Sequence, residues 1–184
     1  MPSDQSWNRE GLPGWTYRSD QIFKLEKERV FLTHWQVVGH TNDLKDPGDW
    51  LSFDLLGERT MVIKGKDGSV RAFHNTCRHR GSRLLEGDRG HCHGALMCPF
   101  HAWIYTLEGH LKTPSQPDKF PKLDPEKWSL QSLELEQWRG FLFLRFEPGP
   151  QPSIAELMAR HHKELEAYPL ENLQANDGPY SSAV

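Results

Sequence analysis

Four residues constrain this chain more than any others. Cys77 and His79 form one short segment, and Cys98 and His101 form another, with 18 residues between His79 and Cys98. Each segment offers one thiolate and one imidazole. Two Cys and two His suit a single tetrahedral zinc ion. They equally suit a [2Fe–2S] cluster in which both Cys hold one iron and both His hold the other. Ligands spaced Cys-x-His are too close to share one face of a helix. They need a tight loop tip that points both side chains the same way. Gly81 frees the backbone after the first pair, and Pro99 stiffens it inside the second. A zinc finger wants its His pair three to five residues apart on a helix, whereas here the His are split between segments. The spacing therefore favours the cluster and leaves zinc as the alternative. A rival set, Cys92 and His93 with Cys98 and His101, leaves only four residues between its pairs, too few for two opposed loops.

The surrounding residues sharpen the reading. Cys77-Arg78-His79-Arg80-Gly81, followed by Cys98-Pro99-Phe100-His101-Ala102-Trp103-Ile104-Tyr105 and Gly109, resembles the Rieske motif of ring-hydroxylating, non-haem iron oxygenases, in their α subunit. The likeness continues upstream in Trp35–His40 and Ala72–Cys77, and downstream in Trp138–Phe143. It covers most of residues 15–170. It implies one Rieske [2Fe–2S] cluster held by Cys77, His79, Cys98 and His101, with Arg80, Gly81, Pro99, Trp103 and Tyr105 around the ligands. Replacing two thiolates by neutral imidazoles takes the oxidised cluster from about −2 to about 0, so an electron is accepted more readily. Rieske proteins of respiratory complexes carry extra Cys where this chain has Ser82 and Phe100, and a Ser where it has Trp103. Neither their disulfide nor that hydroxyl exists here, which implies a low-potential, oxygenase-type cluster. Tyr105 retains a phenol near a Cys sulfur. Ala102 departs from the family, which usually has Gly there.

The same resemblance sets the expected role. The chain reads as the N-terminal Rieske part of an α subunit, carrying one electron from a reductase or ferredoxin to a catalytic iron. In the family that iron lies on the neighbouring α subunit of a homotrimer. A mononuclear Fe(II) site needs two His and a carboxylate. The family's spacing for them, Asp/Asn-x-x-His-x-x-x-x-His, is absent, so the Fe(II) is expected only in a full-length protein. The chain alone is not expected to hydroxylate. A free-standing Rieske ferredoxin is the alternative, and a structural zinc module a more distant one. Arg78, Arg80 and Arg83 rim the loops. The plain reading is a solvated border; the functional one, for Arg78 and Arg83, is docking of an acidic donor or a neighbouring subunit. Trp103 reads as packing rather than as an electron carrier.

A formal net charge of −3 speaks against a nucleic-acid partner. No 18-residue apolar run offers a membrane span, and Met1–Ser6 lacks the build of a signal peptide. With two of three Cys assigned to iron, Cys92 stands alone, which fits a reducing cytoplasm.

The expected fold is mainly β, an antiparallel Rieske-type sandwich with cluster-binding hairpin loops, flanked by an N-terminal and a C-terminal helix. Residues 1–34 form an arm (1–18) and a helix, 35–147 the Rieske domain, and 148–184 a C-terminal helix and tail opening a catalytic domain. Ser19 caps a helix from Asp20 to about His34, with Ile22, Phe23, Val30 and Phe31 as its apolar stripe. Strands are expected at 35–41, 49–55, 58–64, 69–75, 103–106, 129–137 and 140–146, with 95–97 leading into the second loop. Residues 83–94 read as irregular, and proline-rich 113–127 as a long surface loop. Ser153-x-x-Glu156 opens a helix to about 167, and 171–184 reads as loose. His34, His74, His91, His93, His110, His161 and His162 read as structural or solvated.

Overall fold

The computed structural model describes residues 11–114, 123–149 and 151–174. The expected arm at 1–10, the centre of the proline-rich loop at 115–122 and the tail at 175–184 lie outside these. Ten strands run in chain order: β1 (Gln36–His40), β2 (Asp49–Leu55), β3 (Glu58–Lys64), β4 (Val70–His74), β5 (Arg89–His91), β6 (Leu96–Met97), β7 (Ile104–Tyr105), β8 (Leu111–Thr113), β9 (Ser132–Trp138) and β10 (Phe141–Arg145). Seven form one sheet in the order β1-β10-β9-β4-β3-β2-β5, and three form a small sheet, β6-β7-β8. Every pairing is antiparallel. Both long hairpins turn on two residues of positive φ, Leu56-Gly57 at 51° and 90° and Arg139-Gly140 at 46° and 88°. Those turns match the twist of antiparallel strands.

The core has two parts, one on each face of the large sheet. Met61, Ile63 and Phe73 meet Leu96, Trp103 and Tyr105 of the small sheet, which makes the sandwich. Val62, Ala72, Leu142 and Leu144 face the other way, toward Leu44 and Leu51. Strand β3 is therefore buried on both sides, and its run Met61-Val62-Ile63 is fully inaccessible. Cys77 and Cys98 belong to the first part, so both thiols are built into the wall of the core.

Several elements differ from expectation. Residues 83–94 contain β5, which pairs with β2 through Asp49 opposite His91. The strand was hidden because all of its residues are exposed and none alternates. What fixes it is backbone pairing and the contact of Gly90 with the Trp50 indole, where a Cβ would lie 2.6 Å from a ring carbon. Proline-rich 113–127 is not all loop. Strand β8 reaches Thr113, and Asp124 caps a short helix, α2 (Pro125–Trp128). The N-terminal helix starts on Ser19 as expected, whose Oγ accepts from Ile22 N–H at 3.3 Å. It runs as α1 (Asp20–Glu26), then as a π-helical turn over Lys27–Phe31, and ends at Leu32 rather than His34. Its apolar stripe is largely exposed, with Leu32 carrying the burial.

The C-terminal helix is two pieces, α3 (Ile154–Ala159) and α4 (His162–Leu165), broken where His161 leaves helical geometry. Its capping box is present, with Ser153 and Glu156 bonded reciprocally. The expected loose tail is held down at its start. Arg139 donates to the carbonyls of Leu165 and Tyr168, each at 2.7 Å, and to the Glu171 carboxylate. His40 Nε2 lies 3.1 Å from Leu170 O, and Asn42 Nδ2 donates to the carbonyls of Glu171 and Leu173. The residues that dock this segment come from the end of β1, the turn after it and the β9–β10 turn, far away in sequence.

Gly140 is where these contacts meet. Its φ is +88°, and a Cβ there would sit 2.0 Å from His40 Nε2. Gly140→Ala should destabilise the fold by about 3 kcal/mol, combining a left-handed Ala with overpacking. The urea midpoint should fall, and amide exchange at 168–173 should rise with it.

Candidate metal centre

Two loops carry the four residues singled out from sequence, one following β4 and one joining β6 to β7. They are closed in the same way. Cys77 N–H donates to Ser82 O at 2.7 Å, and Cys77 O accepts from Gly81 N–H at 2.9 Å. Cys98 N–H donates to Trp103 O at 2.8 Å, and Cys98 O accepts from Ala102 N–H at 3.0 Å. Each ring needs a left-handed residue four positions after its cysteine. Gly81 supplies it at φ +71°, and Ala102 supplies it at φ +53°. The departure noted at Ala102 thus falls on a strained position, not a neutral one.

Below the first loop, fully buried Asn75 is an anchor that sequence reasoning passed over. Its Oδ1 accepts from the N–H groups of Leu84 and Leu85, and its Nδ2 donates to Ser52 Oγ and Leu85 O. Only its place two residues before Cys77 hinted at this.

The loops set a thiol pair against an imidazole pair. Cys77 and Cys98 are each 2% exposed, and each thiol influences the ionisation of the other. Cys77 Sγ is 3.3 Å from Tyr105 Oη. The Arg78 N–H donates to that same phenol oxygen at 3.1 Å, which leaves the phenol proton for the sulfur. Burial pushes the Cys77 thiol up; Tyr105 and the His79 N–H pull the other way. Burial also acts against the Cys98 thiolate, but the N–H groups of His101 and Phe100, with Cys77 and Ser82, outweigh it and hold its pKa below the ordinary value. Such donors favour the thiolate, the form that binds metal.

The imidazoles of His79 and His101 meet edge to face, with ring centroids 4.6 Å apart. Trp103 stacks on His79 at 4.9 Å with the rings 5° from parallel, and itself packs on Trp128 of α2. Burial, then the nearby His101 and Arg80, lower the pKa of His79. His101 Nδ1 is buried and has no hydrogen-bond partner among the described residues. A buried nitrogen left so costs about 1–3 kcal/mol, which ligation to a metal would recover. No three His, Cys, Asp or Glu among the described residues gather tightly enough for one ion. A pair of thiols and a pair of imidazoles fit a two-iron centre better than a single zinc.

The remaining candidates separate. Arg83 is engaged with Asp54 and lies 3.9 Å from Glu86. Arg80 is exposed, and the Nε of Arg78 is buried without a hydrogen-bond partner among the described residues. Gly81 and Pro99 lie at exposed loop tips. Cys92 and His93 do not join the centre. Cys92 N–H bonds Gly48 O, and His93 packs on His91, which is held by Asp49 at 2.8 Å. His161 pairs with Glu164, and His34 with Gln151. His74 is half-buried, with its pKa lowered by that burial, and His110 and His162 are exposed.

Residues 34–133 match the Rieske [2Fe-2S] domain family. The carnitine monooxygenase oxygenase subunit of Acinetobacter baumannii is 37% identical over 144 residues, 78% of this chain and 38% of that protein. The chlorobenzene dioxygenase subunit alpha of a Cupriavidus species is 33% identical over 132 residues, 71% of this chain and 29% of that protein. Among solved structures, the apo form of the quaternary ammonium Rieske monooxygenase CntA superposes with a TM-score of 0.77 at 32% identity, covering 85% of this chain and 45% of that one. The chain thus spans less than half the length of these relatives.

The strain at Ala102 yields a direct test. Its side chain is exposed, so Ala102→Gly removes little packing. The variant should be more stable by about 1 kcal/mol, read from chemical denaturation at unchanged m-value.

Proposed function

This chain belongs to the Rieske [2Fe-2S] domain family, and we propose that it is the electron-carrying N-terminal part of an oxygenase α subunit. The observation that carries this reading is the division of the centre into a thiol pair and an imidazole pair on two identically closed loops. Cys77 and Cys98 would hold one iron, and His79 and His101 the other. When bound, the [2Fe–2S] cluster supplies one-electron chemistry.

The protein's own residues do the rest. The core side of the centre, with Cys77, Cys98, Trp103 and Tyr105 all at 2% exposure or less, excludes water from the sulfurs. Tyr105 and the loop amides place hydrogen-bond donors on those sulfurs. Trp103 fixes the plane of the His79 ring from one side. The imidazole pair remains partly exposed, so it is the face through which charge would enter and leave.

In a full-length protein we place a mononuclear Fe(II) site in the part beyond this chain. A reductase or ferredoxin would act as donor, and the catalytic domain of a neighbouring α subunit, in a homotrimer, as acceptor. The alternative of a free-standing Rieske ferredoxin is less well supported. The flanks are tied into the sheet domain: Glu147 N–H bonds Leu32 O, and Trp35 Nε1 bonds Pro152 O. A carrier with no further domain has no need of them. Among the described residues no helix is long and apolar enough to cross a membrane.

The deciding experiment is EPR of the dithionite-reduced protein, with iron, sulfide and zinc quantified on the same sample. A rhombic signal of low average g, with about two irons and two sulfides per chain, is expected. A silent protein holding one zinc would overturn the proposal. A second expectation concerns Tyr105→Phe, which removes the phenol proton from the Cys77 sulfur. The midpoint potential should fall by roughly 60 mV, the one-electron equivalent of a charge-assisted hydrogen bond worth about 1.5 kcal/mol. An EPR-monitored redox titration reads it.

A further inference from the structure

We infer that His91 and His93 form a second metal site, a two-imidazole chelate for one zinc-class divalent ion at the open edge of the large sheet, with Asp49 orienting the first ligand. The site uses none of the residues of the candidate metal centre, and it does not rest on the function proposed above.

Strand β5 is the last strand of the seven-stranded sheet, and His91 is its final residue. Contact with β2 continues one residue further, where Cys92 N–H donates to Gly48 O at 2.9 Å. Side chains alternate along such a chain, so His91 and His93 project together and Cys92 the other way. Cys92 packs against the core, while both histidines are exposed. Their rings meet at a centroid distance of 4.9 Å. Two imidazoles on one tetrahedral ion, each bonded through a nitrogen at about 2.0–2.1 Å, bring their centroids to about 5 Å. The pair therefore already stands near chelating distance.

Asp49 fixes the first ligand. Its Oδ1 lies 2.8 Å from His91 Nδ1. An ionised carboxylate only accepts, so Nδ1 carries the proton of the neutral ring, and Nε2 keeps its lone pair for an ion. A carboxylate behind the ligating ring is the usual support of a metal-bound histidine. The backbone between the ligands is braced as well, since Gly94 N–H donates to Cys92 O at 2.7 Å. Close approach at Gly48 makes this possible: a Cβ there would lie 2.2 Å from Cys92 O and 3.2 Å from His91 Cε1. No third His, Cys, Asp or Glu among the described residues gathers with the pair, so water would fill the remaining positions. Imidazole donors select zinc, nickel or copper over magnesium and calcium, which favour oxygen.

Zinc is the probe. Protein with its cysteine centre loaded is titrated with zinc against a chromophoric chelator, and only zinc beyond that already held is counted. One further zinc per chain is expected, undisturbed by excess magnesium. His91→Gln and His93→Gln should each abolish this binding. Asp49→Asn, which leaves both ligands in place, should weaken it by about 10–100-fold. Cys92→Ser should leave the affinity unchanged, because that side chain faces the core. Far-UV circular dichroism checks that each variant is folded. A second reading needs no variant: zinc should shift the assigned ring-proton NMR signals of His91 and His93 together. No further zinc would overturn the inference. So would zinc held equally by every variant, an adventitious ion on other exposed histidines such as His110 and His162. Loss of binding in Cys92→Ser would overturn it too, by placing the ion on the thiol.

Discussion

Each cysteine loop is closed by the N–H of its own cysteine, and the geometry of the site descends from those two bonds. Donating to a carbonyl five residues on, Cys77 to Ser82 and Cys98 to Trp103, makes each loop a ring of fixed size. It also forces one residue per loop into left-handed geometry. The two rings start from different sheets, and the sandwich presses them together. Residues of the small sheet and its loop, Trp103 and Tyr105, then reach across to His79 and Cys77. The core that holds the sheets together is thus the same contact that positions the thiols.

Much of this was legible in the chain. Strands β2 and β3 fall at the expected residues, because alternation was clear and Leu56-Gly57 marked the turn between them. The loop after β4 was legible because the Cys77-x-His79 spacing is too close for one face of a helix. The matched closure of the loops was not, since it is made by main-chain groups that every residue carries. Strand β5 was not, since its partner is a backbone and its one packing device is a missing side chain at Gly90. The anchor Asn75 was hidden for a related reason. A buried amide becomes meaningful only when the groups it satisfies, the N–H of Leu84 and Leu85, have been folded around it.

The flanks show how tertiary contacts override local reading. The stripe on the N-terminal helix had the spacing of a packed helix, yet Phe23 and Val30 are about half exposed. Periodicity reports which face a helix would bury, not whether anything is there to receive it. The C-terminal segment is the opposite case. None of the apolar side chains of residues 165–173 is buried, and the segment docks through carbonyls instead. Arg139 serves three groups at once with its planar fork, and it can do so because its own backbone sits at φ +46° in the β9–β10 turn.

These contacts bear on how the sheet domain is bounded. The shift from polar helix to strand near residue 35, and the prolines after 147, suggested breaks in the chain. Hydrogen bonds cross both: Glu147 N–H to Leu32 O, Trp35 Nε1 to Pro152 O, and Ile154 N–H to the Glu136 carboxylate at 2.6 Å. Arg145, paired with Glu134 and 4.5 Å above the Trp35 ring, fastens the same corner. Prolines end strands because they cannot donate to a ladder. That leaves the chain free to turn back and pack, which is what residues 151–154 do here. Residues 32–35 and 152–173 are consequently tied to the sheet that carries the cysteine loops.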